Sequence, residues 1–234
     1  MPGDPSVPFP AFLQLLRLLD TDGEGNIPAW FSSALLLSIA AVSAGISSAA
    51  EPALSGGRWH WRVLAAIFAY LSMDELAQIH EETIPAVAEL VPQEGVLTFG
   101  WVVIAAPLVL VFVLAYLPFL LRLPRRTALL LVAAGALYVG GALGMELVSG
   151  WIYSEGDGFA SPAYVWATTV EELGEMAGAT LCLATLLAVL RSAVPDGSGP
   201  AGPEPAQPEG GDPPGGPDAP VNGCSATGSH GPPR

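Results

Sequence analysis

Five stretches of the chain are apolar for long enough to cross a hydrocarbon core, which takes about 20 helical residues. They lie near 28–50, 62–82, 99–121, 127–150 and 164–190. The pattern predicts an all-α membrane protein, a five-transmembrane-helix bundle occupying 28–191. Ahead of it, an extracytoplasmic segment (1–27) contains Phe9 to Leu19, apolar with one arginine, which predicts a short interfacial helix. From 192 to 234 the chain is Pro, Gly, Ser and Ala with scattered acids, and predicts a disordered cytoplasmic tail. No internal repeat is visible.

The second and fifth spans are interrupted by acids, and these set the chemistry. The second begins apolar at Ile67 and ends with Asp74, Glu75, His80, Glu81 and Glu82. The fourth carries Glu146, and the fifth carries Glu171, Glu172 and Glu175. A charge at the centre of a bilayer helix costs about 2.5–3.5 kcal/mol even on the most lenient scale. Acids that enter the membrane therefore tend to face a cavity, a partner or a cation.

Composition agrees with a membrane setting. The 234 residues are 51% hydrophobic and 13% charged, against roughly 25% charged in soluble domains. The net charge of −14 comes from acids at span ends and in the tail, and no basic surface for nucleic acid is present. All eight cations are arginine, which with abundant Ala, Gly and Pro suggests a GC-rich bacterial genome. The N-terminus lacks the basic region of a cleavable signal peptide. Cys182 falls inside a span and Cys224 in the tail, so a disulfide is not expected.

Arginine placement gives an orientation. Arg58, Arg62, Arg122, Arg125, Arg126 and Arg191 all fall on one side of a five-span chain, which the positive-inside rule makes cytoplasmic. The expected protein sits in the bacterial plasma membrane with its N-terminus outside and its C-terminus inside. Trp30, Trp59, Trp61, Trp101, Trp151 and Trp166 all sit at span ends, as in an aromatic belt. At 1.5 Å per residue Asp74 lies roughly 18 Å outward of Arg62. Glu146 and Glu171 to Glu175 fall in the same outer half, so three helices deliver acids to one depth.

On a helical wheel Asp74, Gln78 and Glu81 share a face flanked by Glu75 and Glu82, while His80 points about 120° from Asp74. Thr168, Glu171, Glu172, Glu175 and Gly178 fall in a narrow arc. Carboxylates so close repel one another, and a bound cation or shared protons would relieve them. Asp74, His80, Glu146, Glu172 and Glu175 are the candidate ligands, with Glu75, Gln78, Glu81, Glu171 and Thr168 supporting. Such a set suits Mn, Fe or Zn. His80 would join it if the helix unwound near Thr83 to Pro85. The Glu-x-x-His spacing of di-iron bundles is absent. The plainer reading is a set of solvated interfacial acids.

Gly140-x-x-x-Gly144 and Gly174-x-x-x-Gly178 suggest close packing of the fourth and fifth spans, holding Glu146 near Glu172 and Glu175. Asp20 to Ile27 resembles the start of an EF-hand loop, with Asp20, Asp22 and Glu24 as weak calcium candidates. Phe31 stands where the bidentate Glu belongs. A polar turn into the first span, with Pro28 in its first turn, is the better reading. His60 and His230 look incidental.

Four blocks, 22–33 (Asp-Gly-Glu-Gly-Asn-Ile-Pro-Ala-Trp-Phe-Ser-Ser), 71–81, 140–146 and 171–178, resemble the signatures of an uncharacterised family of bacterial multipass membrane proteins. The resemblance covers about 9–190. Gly174 departs from it, where a bulkier apolar residue is expected. It implies Asp74, Glu75, His80, Glu81, Glu146, Glu171, Glu172 and Glu175 as the polar positions and assigns no activity.

The expected function is a cation (metal) site opening outward, for extracytoplasmic chemistry or sensing. One alternative is a proton- or cation-coupled transporter, although no inverted repeat is present. The other is a structural or partner-binding subunit. No nucleophile–base motif marks an enzyme. The lipid bilayer and a metal ion are the expected partners; the sequence names no protein partner.

Overall fold

The computed structural model describes residues 17–19, 25–48, 57–156 and 158–193. The loop holding Asp20, Asp22 and Glu24, most of the expected interfacial helix, and 194–234 of the expected tail lie outside the described residues. So do Cys224 and His230.

The described residues form helices and turns. Helix α1 (Ile27–Ser48) starts where Asn26 accepts the Ala29 N–H on its side-chain oxygen at 2.9 Å, satisfying an N–H the first turn leaves open. Helix α2 (Arg58–Ala77) follows, then a single turn α3 (Ile84–Ala88) and α4 (Val102–Leu120). Helix α5 (Arg125–Val139) runs through a π-helical turn, Gly140–Met145, into α6 (Glu146–Glu155). Helix α7 (Pro162–Ala193) ends the described chain.

Four of these runs are long and apolar enough to cross a membrane: Ile27–Ser48, Val102–Leu120, Arg125–Glu155 and Pro162–Ser192. Helix α2, where the second span was expected over 62–82, is not among them, and it stops at Ala77 rather than 82. Its composition explains the difference, because arginines open it and Asp74 and Glu75 close it.

Helix α1 packs along α2 and α7, and α5 with the π turn packs against α7. Leu36, Ile39 and Ile46 of α1 meet Trp61 and Leu64 of α2, Tyr116 and Phe119 of α4, and Ala179, Cys182 and Leu186 of α7 in one apolar core. Ser33 and Ser72 lock α1 to α2. The Ser33 hydroxyl donates to the Ser72 carbonyl at 2.7 Å and the Ser72 hydroxyl to the Ser33 carbonyl at 2.9 Å. Inside an apolar bundle such reciprocal bonds leave neither hydroxyl unsatisfied.

These contacts fix the helix directions. The start of α1 lies beside the end of α2 (Ser33, Ser72), and the end of α1 beside the end of α7 (Gly45, Leu190). The start of α2 meets the end of α4, with the Trp61 and Phe119 rings 5.0 Å apart. One end of the bundle therefore gathers the arginine-bearing helix termini and the other the acids. Trp61 is fully buried in the core, not part of a belt; Trp59 and Trp166 are exposed.

Helices α5 and α7 touch backbone to backbone. A Cβ on Gly178 would stand 2.6 Å from the Tyr138 amide nitrogen, and one on Gly141 would stand 2.7 Å from the Glu171 carbonyl. Gly140 and Gly144, the expected close-packing pair, meet nothing within 4 Å; the π turn faces Gly141 toward α7 instead. A Cβ on Gly174 would stand 3.4 Å from the Gly141 Cα, an ordinary van der Waals contact, so this glycine lies against the π turn without the tight fit of Gly141 and Gly178. Gly141→Ala and Gly178→Ala should each lower stability in detergent by about 1–3 kcal/mol. Gly140→Ala and Gly144→Ala should stay within about 0.5 kcal/mol of the parent; thermal unfolding checks both pairs.

Candidate functional site

The site begins where α2 breaks. Gln78 takes a left-handed conformation (φ 51°), ending the helix one turn after Asp74. That conformation is strained for a residue with a side chain. The turn swings His80 back over Asp74. The His80 amide donates to Asp74 Oδ1 at 3.0 Å, and its Nδ1 lies 2.8 Å from Asp74 Oδ2. A wheel that kept the helix straight put these two residues 120° apart. The unwinding at Gln78, ahead of the expected Thr83 to Pro85, brings them together. The Gln78 amide donates to Glu81 Oε2 at 3.2 Å, and Glu81 and Glu82 are exposed.

Trp101, at the entrance to α4, connects this pair to the next helix. Its ring lies 4.8 Å from the His80 ring, and its indole N–H donates to Glu146 Oε1 at 2.8 Å. Glu146 opens α6 directly after the π turn, which adds a residue to one turn and re-aims the side chain that follows. Its carboxyl stands beside that of Glu171 on α7. The Ser149 hydroxyl, shared with the Met145 carbonyl at 2.8 Å, also reaches Glu171 Oε2 at 3.3 Å.

One turn along α7, Glu175 lies within electrostatic reach of Glu172, Glu75 and Glu146. Tyr138 of α5 is within reach of Glu175, Glu75, Asp74 and Glu172. Asp74, Glu75, His80, Glu146, Glu171, Glu172 and Glu175 thus lie at the same end of the bundle, within electrostatic reach of a neighbour in the set. The Thr168 hydroxyl donates to the Val165 carbonyl of its own helix at 3.1 Å. Glu146 stands beside Glu171 and within electrostatic reach of Glu175, one of the two acids the glycine spacing suggested it would approach.

Among the described residues no three of His, Cys, Asp and Glu are placed to hold a metal ion. In the set proposed for Mn, Fe or Zn, namely Asp74, His80, Glu146, Glu172 and Glu175, Asp74 bonds His80 while Glu146 bonds the Trp101 indole. Three members of the cluster escape sequence reasoning. Trp101 looks like one more belt tryptophan, Tyr138 like one more apolar aromatic, and Ser149 like a span serine.

The polar loop and the carboxyl pair lie together at the acidic end of an otherwise apolar helical bundle. That arrangement defines a membrane-type helical protein with a titratable site at one end. Residues 3–190 match the model of a domain of unknown function, DUF8692, and the chain belongs to that family. No curated protein and no solved structure matches the chain.

Burial alone would favour the neutral His80 ring. The hydrogen bond and charge of Asp74, with the charges of Glu81 and Glu146, outweigh it and hold the imidazole above its ordinary value of 6.5. A group so raised contributes stability in full below its unfolded value and loses it as pH climbs through the folded one. The unfolding temperature should therefore fall as pH rises past about 6.5. His80→Gln should remove that part of the pH dependence, as a scan of both proteins over pH will show.

Proposed function

We propose that this chain is a five-span protein of the bacterial plasma membrane, N-terminus outside, whose acidic site takes up protons from the extracytoplasmic side. In this reading α2 is the second of the five spans, carried through the bilayer by its neighbours. The observation that carries the proposal is the juxtaposition of the Glu146 and Glu171 carboxyls, the first bonded to the Trp101 indole at 2.8 Å and the second to the Ser149 hydroxyl at 3.3 Å. Two bare carboxylates have no hydrogen to place between them and repel one another. A pair side by side inside an apolar bundle shares a proton, or holds a cation in its stead. Ser149 and the Trp101 indole supply donors to the same pair. The Asp74–His80 pair, beside exposed Glu81 and Glu82, is a second titrating group at the mouth of the site.

The site is one-sided. Leu36, Ile39, Leu64, Tyr116, Phe119 and Leu186 close the bundle between the acids and the arginine end, which favours sensing or surface chemistry over conduction. The divalent-metal reading is weaker, because its ligands would have to move to form a three-residue set.

Infrared spectroscopy on protein in nanodiscs tests the shared proton. At neutral pH the wild type should show a protonated carboxyl stretch that shifts in deuterium oxide and is lost in Glu171→Gln. A wild type with no such band, carrying a stoichiometric metal by elemental analysis, would return the site to metal binding. Proteoliposomes under a proton gradient should show no flux above empty vesicles; a flux abolished by Glu171→Gln would favour the transporter.

A further inference from the structure

We propose that the arginine end of the bundle binds the phosphodiester headgroup of an anionic phospholipid, independently of the acidic site at the opposite end. Three helix termini meet there. The start of α2 packs on the end of α4, with the His60 ring stacked on Phe119 at 4.7 Å and the Tyr116 hydroxyl donating to the His60 carbonyl at 2.8 Å. A Cβ on Gly57 would stand 2.5 Å from the Phe119 ring, so the two ends are in close contact. Helix α5 begins a short turn after α4, and Leu123 in that turn packs against the core.

This junction carries Arg58 and Arg62 on α2, Arg122 in the turn, and Arg125 and Arg126 on α5, all five exposed. Among the described residues the one ion pair is His80 with Asp74, so none of the five has an acidic partner. No acid occurs in the described stretches 39–48, 57–66, 112–134 and 179–193 that form this end. The Trp61 indole nitrogen and the His60 Nδ1 are buried there without a hydrogen-bond partner among the described residues. The described side chains of this end are rich in donors and include no carboxylate.

Trp59 and Leu121, 71% and 77% exposed, flank the arginines with apolar surface. Guanidinium groups beside an indole and an aliphatic side chain, at the end of an apolar helix bundle, match a phosphate above acyl chains. Arginine engages phosphate oxygens in pairs, and basic clusters at this depth attract anionic lipids.

Native mass spectrometry of the full chain, released from mixed phosphatidylglycerol and phosphatidylcholine, tests the proposal. The wild type should retain phosphatidylglycerol in preference to phosphatidylcholine. Arg58→Gln with Arg62→Gln and Arg122→Gln should lose it, with affinity falling about five-fold per arginine. The three Arg→Lys replacements, which keep the charge that sets topology, should retain more lipid than the Gln set and less than the wild type. Equal retention of both lipids by the wild type, or equal retention of phosphatidylglycerol by the wild type and the folded Gln variant, would overturn the proposal. Displacement of the lipid by inorganic phosphate would also overturn it, assigning the site to the free anion.

Discussion

The backbone contact between α5 and α7 is the constraint on which the site depends. Gly141 and Gly178 have no space for a methyl group, because main-chain atoms of the opposite helix already occupy it. Two helices held this close cannot slide independently, so Glu146 and Glu171 are held together by packing despite their charge. In lipid, where apolar surface gives little drive for helix association, close van der Waals contact through small residues is the main source of such order. The π turn belongs to the same device. It presents Gly141 to α7 and leaves Gly140 and Gly144 facing open space.

The second organising feature is the break at Gln78. A helix continued to Glu82 would have left His80 on another face from Asp74 and put no imidazole against Trp101. A left-handed residue there replaces the next turn of helix with hydrogen bonds to the Asp74 carboxylate. Strain at one residue is thus offset by a charge-assisted pair. The charge on His80 and the geometry of the turn support one another.

Much of the helical layout is legible in the sequence, because long apolar runs leave few alternatives. Ile27–Ser48, Val102–Leu120, Arg125–Glu155 and Pro162–Ser192 fall close to four of the expected spans. The residues with candidate chemistry are legible too, since a carboxylate in an apolar run is conspicuous. Their pairing is not. The straight-helix wheel fails at Gln78 because nothing about a glutamine announces a left-handed conformation. The glycine spacing points to Gly140 and Gly144, because a wheel of 3.6 residues cannot anticipate a π turn. Trp101 and Trp61 hide among interfacial tryptophans, yet one holds Glu146 and the other lies in the core.

Disulfide trapping of Glu146 against Glu171 measures the convergence most directly. The chain Glu146→Cys with Glu171→Cys, with Cys182 and Cys224 replaced by Ala and Ser, would be oxidised in native membranes. The account predicts rapid intramolecular cross-linking that Gly178→Leu, by prising α5 from α7, slows sharply. No cross-link in a folded, inserted protein would contradict it, as would one formed equally fast with Gly178→Leu.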